Sequence, residues 1–298
     1  MPVRHLHGFH HLDLDHDLRA LDALDDLDDH GDHHALAALA PIGLDELAAF
    51  DDLQTRRDRK YLLPLPDLDP VLAGLAPGTR VLTIDGVRTF RYESVYFDTP
   101  DLAGYLGAAR RRPRRFKVRT RAYLDTGGCM LEVKVCDGRG NTVKHRHPHD
   151  IARRSELDDE GRAFVASIPQ AAHAARRLRP TLTTTYRRTT LVLPGGGRRG
   201  PGTGGAARVT IDVALAWAGP DRAATGIDHL ALVETKTTGA PCTVDRALWR
   251  QGHRPGGISK YGTGLAALRP DLPANKWNRV LRRHFGWRPD RRGRAVPT

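Results

Sequence analysis

Between Arg110 and Asp137 the chain reads RRRPRRFKVRTRAYLDTGGCMLEVKVCD, and two runs within it alternate strictly. From Phe116 to Tyr123, Lys117, Arg119 and Arg121 share one parity, and Val118, Thr120 and Ala122 the other. From Met130 to Val135, Glu132 and Lys134 alternate with Leu131, Val133 and Val135. Successive strand residues point to opposite faces, so the runs predict a hairpin turning at Asp125-Thr-Gly-Gly, apolar on one face and ionic on the other. The ionic face carries Lys117, Arg119, Arg121 and Lys134 against the single carboxylate of Glu132. A solvated outer face is the ordinary explanation of such a pattern. A functional face requires that other strands repeat it.

Several do. Arg56 to Leu63 sets Asp58 and Lys60 on one face, and Thr142 to Arg146 does the same for Lys144 and Arg146. Arg208 to Ala216 alternates Arg208, Thr210 and Asp212 with Val209, Ile211 and Val213, and Leu230 to Thr237 puts Glu234 and Lys236 together. Further strands are predicted near Arg80 to Ile84, Thr89 to Phe97 and Thr181 to Leu193, which contains Tyr186-Arg187-Arg188. That makes about nine strands. Helices are predicted over Pro41 to Phe50, after Asp69-Pro70 with Asp69 as cap, and from Thr99-Pro100 toward Leu106. Ser155 to Ser167 reads as a helix opened by Ser155 and Asp158, with Gln170 to Leu178 beyond Pro169. Thr243 is the expected cap of Val244 to Gln251, followed by helices at Ser259 to Leu268 and Asn275 to Phe285. The class is α+β. An open sheet with one wet face and a closed antiparallel barrel with an ionic lumen fit the pattern equally.

The 298 residues hold no apolar run long enough to span a bilayer and no leader of basic-then-apolar order, and three scattered cysteines lack metal-ligand spacing. A reduced, cytoplasmic protein without a membrane span is the expectation. Residues 1 to 34 contain nine Asp against two Arg and eight of the fifteen His, a low-complexity acidic stretch that predicts disorder. Its balance of −7 leaves +19 on the rest of a chain whose net charge is +12, which points to a polyanionic partner. Forty Arg against seven Lys is a lopsided ratio, yet six of those lysines, Lys60, Lys117, Lys134, Lys144, Lys236 and Lys260, fall in or beside the patterned segments. Lysine is a compact point charge that guanidinium replaces poorly. Few aromatics interleave with the cations, so nucleic acid is not the expected polyanion. The Gly-rich run Pro194 to Ala206 lacks the Gly-Lys-Ser/Thr ending of a phosphate loop and reads as a connection.

Eight motifs in order complete the reading: R-x-D-R-K-Y (Arg56 to Tyr61), Y-F-D-T (Tyr96 to Thr99), K-V-R-T-R-x-Y (Lys117 to Tyr123), L-E-V-K (Leu131 to Lys134), Y-R-R (Tyr186 to Arg188), I-D (Ile211, Asp212), V-E-T-K (Val233 to Lys236) and S-K-Y (Ser259 to Tyr261). Together they resemble the VTC domain, the catalytic domain of the vacuolar transporter chaperone polyphosphate polymerases, within the triphosphate tunnel metalloenzyme superfamily. The resemblance implies a closed antiparallel β-barrel of about eight strands, flanked by helices, whose charged tunnel occupies residues 41–286. An acidic tail at 1–40 and a basic one at 287–298 would flank it. It also implies phosphate ligands at Lys60, Lys117, Arg119, Arg121, Lys134, Lys144, Arg146, Arg187, Lys236 and Lys260. Arg119, Arg121, Lys134, Arg187 and Glu234 would be the catalytic set. Glu234 would hold Mn²⁺ or Mg²⁺, with Glu132 and Asp212 as further metal candidates. The implied reaction is synthesis of polyphosphate from a nucleoside triphosphate, with orthophosphate or polyphosphate as acceptor. A tunnel triphosphatase and a non-catalytic polyphosphate or nucleotide binder are the alternatives. The basic first-strand motif, R-x-D-R-K in place of the E-x-E-x-K of many tunnel enzymes, favours the polymerase branch.

Overall fold

The computed structural model describes residues 34–49, 57–138, 142–195 and 207–288. Expectations for the acidic stretch before residue 34, the Gly-rich loop from 196 to 206 and the basic tail from 289 lie outside the described residues. Two compact units are present, Met1–Ala38 and Leu39–Thr298. In the first, a single helical turn is described, His34–Ala37.

The second unit runs β1 (Ala40–Ile42), α1 (Leu44–Ala49), β2 (Arg57–Pro64), α2 (Asp69–Ala73), β3 (Arg80–Leu82), β4 (Thr89–Asp98), α3 (Ala103–Ala109), β5 (Arg115–Tyr123), β6 (Gly128–Cys136), β7 (Thr142–Pro148), α4 (Asp159–Ala166), β8 (Arg179–Leu193), β9 (Ala207–Ala218), β10 (Ala224–Ile227), β11 (Leu230–Thr237), α5 (Thr243–Arg250), α6 (Lys260–Leu268) and α7 (Asn278–His284). The strands form one sheet in the order β2-β11-β9-β8-β4-β5-β6-β7, antiparallel throughout that path. Three short strands complete the eleven: β10 beside β9, β3 beside β8, and β1 parallel to β3.

The sheet is not closed, which corrects the expected barrel. Among the described residues no ladder joins its end strands, β2 and β7. The edge chemistry accounts for this. β2 brings Arg57, Arg59 and Lys60 to one edge, and the largely exposed β7 brings Lys144 and Arg146 to the other. Opposed like charges destabilise a strand pair, and charged edges keep strands from pairing. The sheet nevertheless curls enough that side chains of both edge strands line one cleft.

The apolar parity of each strand faces the covering helices. Phe116, Val118, Leu131, Val133 and Val135 bury against Leu157, Val165 of α4, Ile168 and Ala174. A second cluster joins Leu215, Trp217, Leu230 and Leu232 to Tyr261 and Leu265 of α6, and to Trp277 and Leu281. The predicted hairpin is present as β5 and β6, in register from Arg115↔Cys136 to Tyr123↔Gly128, with Gly127 at φ 72° in the turn. Helix starts moved by short steps. α4 begins after Asp158, whose Oδ1 accepts from the Gly161 N–H at 2.8 Å, so Ser155 is not its cap. α5 is capped at Cys242, not Thr243, with Asp245 Oδ2 accepting from the Cys242 N–H at 2.8 Å. Asp69 lies inside α2, where Leu68 is the N-cap residue.

α6 approaches the sheet so closely that two of its glycines have tryptophan rings in place of side chains. A Cβ on Gly264 would stand 2.2 Å from Trp217 Cδ1, and one on Gly262 would stand 2.1 Å from Trp277 Cζ2. Glycine to alanine in a free helix gains about 1 kcal/mol. Here the sign reverses: Gly264→Ala is expected to cost about 1–3 kcal/mol through overpacking. A denaturant midpoint that stays put or rises in Gly264→Ala would show that the contact is not tight.

Candidate functional site: a cationic cleft on the concave face

The concave parity of the sheet lines a single cleft. It draws Asp58 and Lys60 from β2, Tyr96 from β4, Lys117, Arg119 and Arg121 from β5, and Glu132 and Lys134 from β6. Lys144 and Arg146 come from β7, Tyr186 and Arg188 from β8, Arg208 from β9, Glu234 and Lys236 from β11, and Ser259 and Lys260 from the start of α6. Eleven cations thus share the cleft with three carboxylates. Cross-strand register stacks like charges: Lys117 lies opposite Lys134, which lies opposite Lys144. That arrangement breaks the ordinary rule for strand pairs, and such breaks concentrate at functional sites.

Three buried carboxylates hold the cations in place. Glu132 Oε2 accepts from Arg119 Nε at 2.8 Å and Nη2 at 2.6 Å. Arg146 Nε stands 3.4 Å from Glu132 Oε1, and Arg121 Nη2 stands 3.9 Å from Oε2. Asp212, behind the lining, receives Arg188 through Nε at 2.5 Å and Nη2 at 2.8 Å, and Lys260 as well. Glu234 is held more loosely, by Lys60 at 3.5 Å and Lys236 at 3.9 Å. Although burial alone would raise all three carboxyls, the cations win. Glu132 and Glu234 are held well below the usual carboxylate range, and Asp212 is pulled down to about 2.

The lysines show the opposite shift. Burial, then neighbouring cations (Lys60 and Lys134 foremost), push Lys117 far below its ordinary value. Lys134 and Lys260 are lowered chiefly by burial. Lys236 falls to about 7, burial outweighing the support of Glu234. Arginine stays charged at any pH of interest, so the relief comes from lysine. Two buried donors facing this cleft, Arg121 Nε and Tyr186 Oη, and one acceptor, Glu132 Oε1, have no hydrogen-bond partner among the described residues. Buried donors without acceptors are costly, and an oligophosphate would supply the acceptors.

Of the residues singled out from sequence, Lys60, Lys117, Arg119, Arg121, Glu132, Lys134, Lys144, Arg146, Glu234, Lys236 and Lys260 converge here. Arg187 does not line the cleft; Arg188, its neighbour, does, on the same parity as Tyr186. Asp58, Tyr96, Arg208 and Ser259 also line it, although sequence motifs did not assign them a role. Asp58 and Arg208 had a signal in their alternation with Lys60 and Asp212. Tyr96 and Ser259 stood only at the heads of the Y-F-D-T and S-K-Y motifs, with no alternation to place them on this face.

A divalent ion can be tested against the donors present. Among the described residues no three His, Cys, Asp or Glu side chains cluster as a metal site. Glu132 and Asp212 are engaged by guanidinium forks and serve as counter-ions, in place of the metal role expected of them. Among the described residues the ion pairs of Glu234 are to Lys60 and Lys236, at 3.5 Å and longer. Mg²⁺ and Mn²⁺ commonly use one or two carboxylates plus substrate phosphates and water, so Glu234 fits such an ion as its protein ligand.

The VTC domain profile matches residues 55–269, a span that contains every residue of the cleft from Asp58 to Lys260. The chain belongs to the VTC-domain family. No curated protein matches it. Among solved structures, this VTC domain is similar to HpAC1 from Hippeastrum, described as a candidate adenylyl cyclase with a dominant triphosphatase activity. That match has 15% identity over 74% of this chain and 98% of that one, with a TM-score of 0.40. A candidate adenylate cyclase from Vibrio parahaemolyticus is 10% identical over 67% and 84% of the two chains, with a TM-score of 0.37. A conserved hypothetical protein from Pyrococcus furiosus is 14% identical over 66% and 88%, with a TM-score of 0.34. Among the described residues no helix is long and apolar enough to cross a membrane.

Two expectations follow from the cleft of this VTC domain. Lys117, Lys134, Lys236 and Lys260 bind protons less readily folded than unfolded, so the unfolded chain holds more protons above about pH 7 and stability rises with pH from there. Lys236 alone contributes a slope of at most about 1.4 kcal/mol per pH unit between pH 7 and 9. Lys236→Met should flatten the rise in melting temperature over that window, as should saturating tripolyphosphate; a wild-type Tm that falls from pH 7 to 9 contradicts this. Separately, Arg188→Met should weaken tripolyphosphate binding by about ten-fold or more, and Arg187→Met by less than about three-fold, in calorimetric titrations. The reverse order would return the role to Arg187.

Proposed function

We propose that this VTC domain transfers the terminal phosphoryl group of a nucleoside triphosphate, ATP in the first instance, onto orthophosphate or a growing polyphosphate chain. The observation that carries the reading is the cleft: like-charged rows from both edge strands, concentrated in a chain of the VTC-domain family. A repeating phosphate chain is the ligand such rows fit, because its charge repeats along its length.

Phosphoryl transfer asks little covalent chemistry of a protein; it asks for positioning and charge neutralisation. Arg119 and Arg188 are each held through Nε and Nη2 by Glu132 and Asp212, which leaves their remaining N–H groups for phosphate oxygens, and Arg121 adds a third guanidinium. Lys60, Lys117, Lys134 and Lys144 supply movable point charges along the chain, and Lys260, held by Asp212, supplies a fixed one. Each lysine that is neutral in the empty cleft takes up a proton as the anion arrives, so binding draws protons from solution. A divalent ion held by Glu234 would neutralise charge on the transferring and bridging oxygens. Among the described residues no histidine lines the cleft, and Glu132 and Glu234 are too weakly basic to accept a proton readily. An acceptor phosphate brings an already ionised oxygen, whereas water needs a base. This favours a phosphate acceptor over hydrolysis.

The test is incubation of the purified protein with ATP and Mn²⁺ or Mg²⁺, followed by ³¹P NMR, with Glu234→Ala as control. Growth of an internal polyphosphate resonance, reduced about 100-fold or more in the variant, is the expected result. Release of orthophosphate alone would make the protein a triphosphatase. Tight binding without turnover in either protein would make it a polyphosphate or nucleotide receptor.

A further inference from the structure

Asp98 ends β4 behind the cleft wall, 1% exposed, and its carboxylate takes four hydrogen bonds. Oδ1 accepts from the N–H groups of Thr99 at 2.8 Å and Gly104 at 2.9 Å. Oδ2 accepts from the Tyr105 N–H at 2.8 Å and from Tyr261 Oη at 2.5 Å. The intervening backbone is bent to make this possible. Leu102 sits in the left-handed region at φ 55°, a conformation disfavoured for a residue with a Cβ. Gly104 is packed so closely that a Cβ would lie 3.2 Å from both Asp98 oxygens. Strain of this kind persists only where its surroundings fix it.

From Tyr261 the contacts run to the cleft. Its ring stacks on Tyr96, centroids 4.9 Å apart and planes 22° from parallel. Tyr96 Oη in turn accepts from Arg119 Nη1 at 3.2 Å. The residue before Tyr261 is Lys260, which reaches Asp212 and lies 4.3 Å from the Tyr186 ring centroid. Before that comes Ser259, the N-cap of α6, whose Oγ accepts from Lys117 Nζ at 3.3 Å. Burial, then Asp98, hold the Tyr261 phenol far above its ordinary value, so it stays a donor.

We infer that Asp98 is a positioning residue of the phosphate site: by gripping Tyr261 from behind the wall, it fixes Lys260 at the cleft without touching the ligand. The inference rests on the reading of the cleft as a phosphate site, not on which reaction follows. A carboxylate that merely caps the turn before α3 would stabilise the fold and leave the affinity of the folded protein alone. Tyr261→Phe separates the two, since it keeps the ring and its stack and removes only the hydroxyl that Asp98 holds.

The experiment measures tripolyphosphate affinity by calorimetry, with melting temperature alongside, for the full chain and for Tyr261→Phe, Lys260→Met and the double variant. Lys260→Met is expected to weaken binding by about ten-fold and Tyr261→Phe by about five-fold. In the Lys260→Met background, adding Tyr261→Phe should change affinity by less than about two-fold, because the residue being positioned is gone. Asp98→Asn, where it folds, should match Tyr261→Phe. A Tyr261→Phe protein with lower Tm and unchanged affinity would overturn the inference, as would an equal loss in both backgrounds. If Lys260→Met itself leaves affinity intact, the phosphate reading of the cleft falls, and this inference with it.

Discussion

Electrostatic repulsion is the constraint to which the rest of this fold answers. Eleven cations meet three lining carboxylates on one concave surface, and the close charges cannot escape to bulk water. The chain relieves the strain in two ways. Arginine cannot lose its proton, and two buried carboxylates at the cleft each take an arginine through Nε and Nη2: Glu132 takes Arg119, and Asp212 takes Arg188 with Lys260 alongside. Lysine can lose its proton, and Lys117, Lys134 and Lys236 are pushed toward doing so. The division of labour leaves a cleft whose charge rises when an anion enters.

Something must hold the strands together against that repulsion, and it is the opposite parity of the same strands. Val118, Leu131 and Val133 are each 1% exposed or less beneath α4, directly behind the cations. On the other flank, α6 presses Gly262 and Gly264 onto tryptophan rings and so delivers Ser259 and Lys260 to the cleft. Hydrophobic burial, which is indifferent to charge on the far side of a strand, supplies the stability that the ligand face gives up. The sheet ends are where this arrangement stops: two cationic edges that curl toward one cleft without pairing.

Much of the cleft was legible in the chain because period-2 alternation fixes which side chains share a face. That rule placed Lys117, Arg119, Arg121, Glu132 and Lys134 together before any fold was known, and the β5–β6 register has that arrangement. It failed at Arg187 and Arg188. β8 reads Thr-Leu-Thr-Thr-Thr-Tyr-Arg-Arg, with threonines on both parities, so neither arginine could be assigned a side. A register shift against β9, near Ala214 at φ 50°, removes even the help of the neighbouring strand. The aromatic wall was missed for a different reason: Tyr96 and Tyr186 look like core residues in sequence, and they are core residues that also reach the cleft.

The amino-acid sequence by itself determined the hairpin, the two-faced strands, the excess of positive charge and the family motifs, because each is a local pattern or a sum over residues. The tertiary structure alone decided three things: that the sheet stays open, that Glu132 and Asp212 are spent on arginines while Glu234 is not, and that Asp98 stands behind Tyr261. All three turn on contacts between segments far apart in the chain. Backbone closure, the choice of counter-ion and the hold on Tyr261 are competitions among distant groups, settled by which partner the fold brings within hydrogen-bonding range.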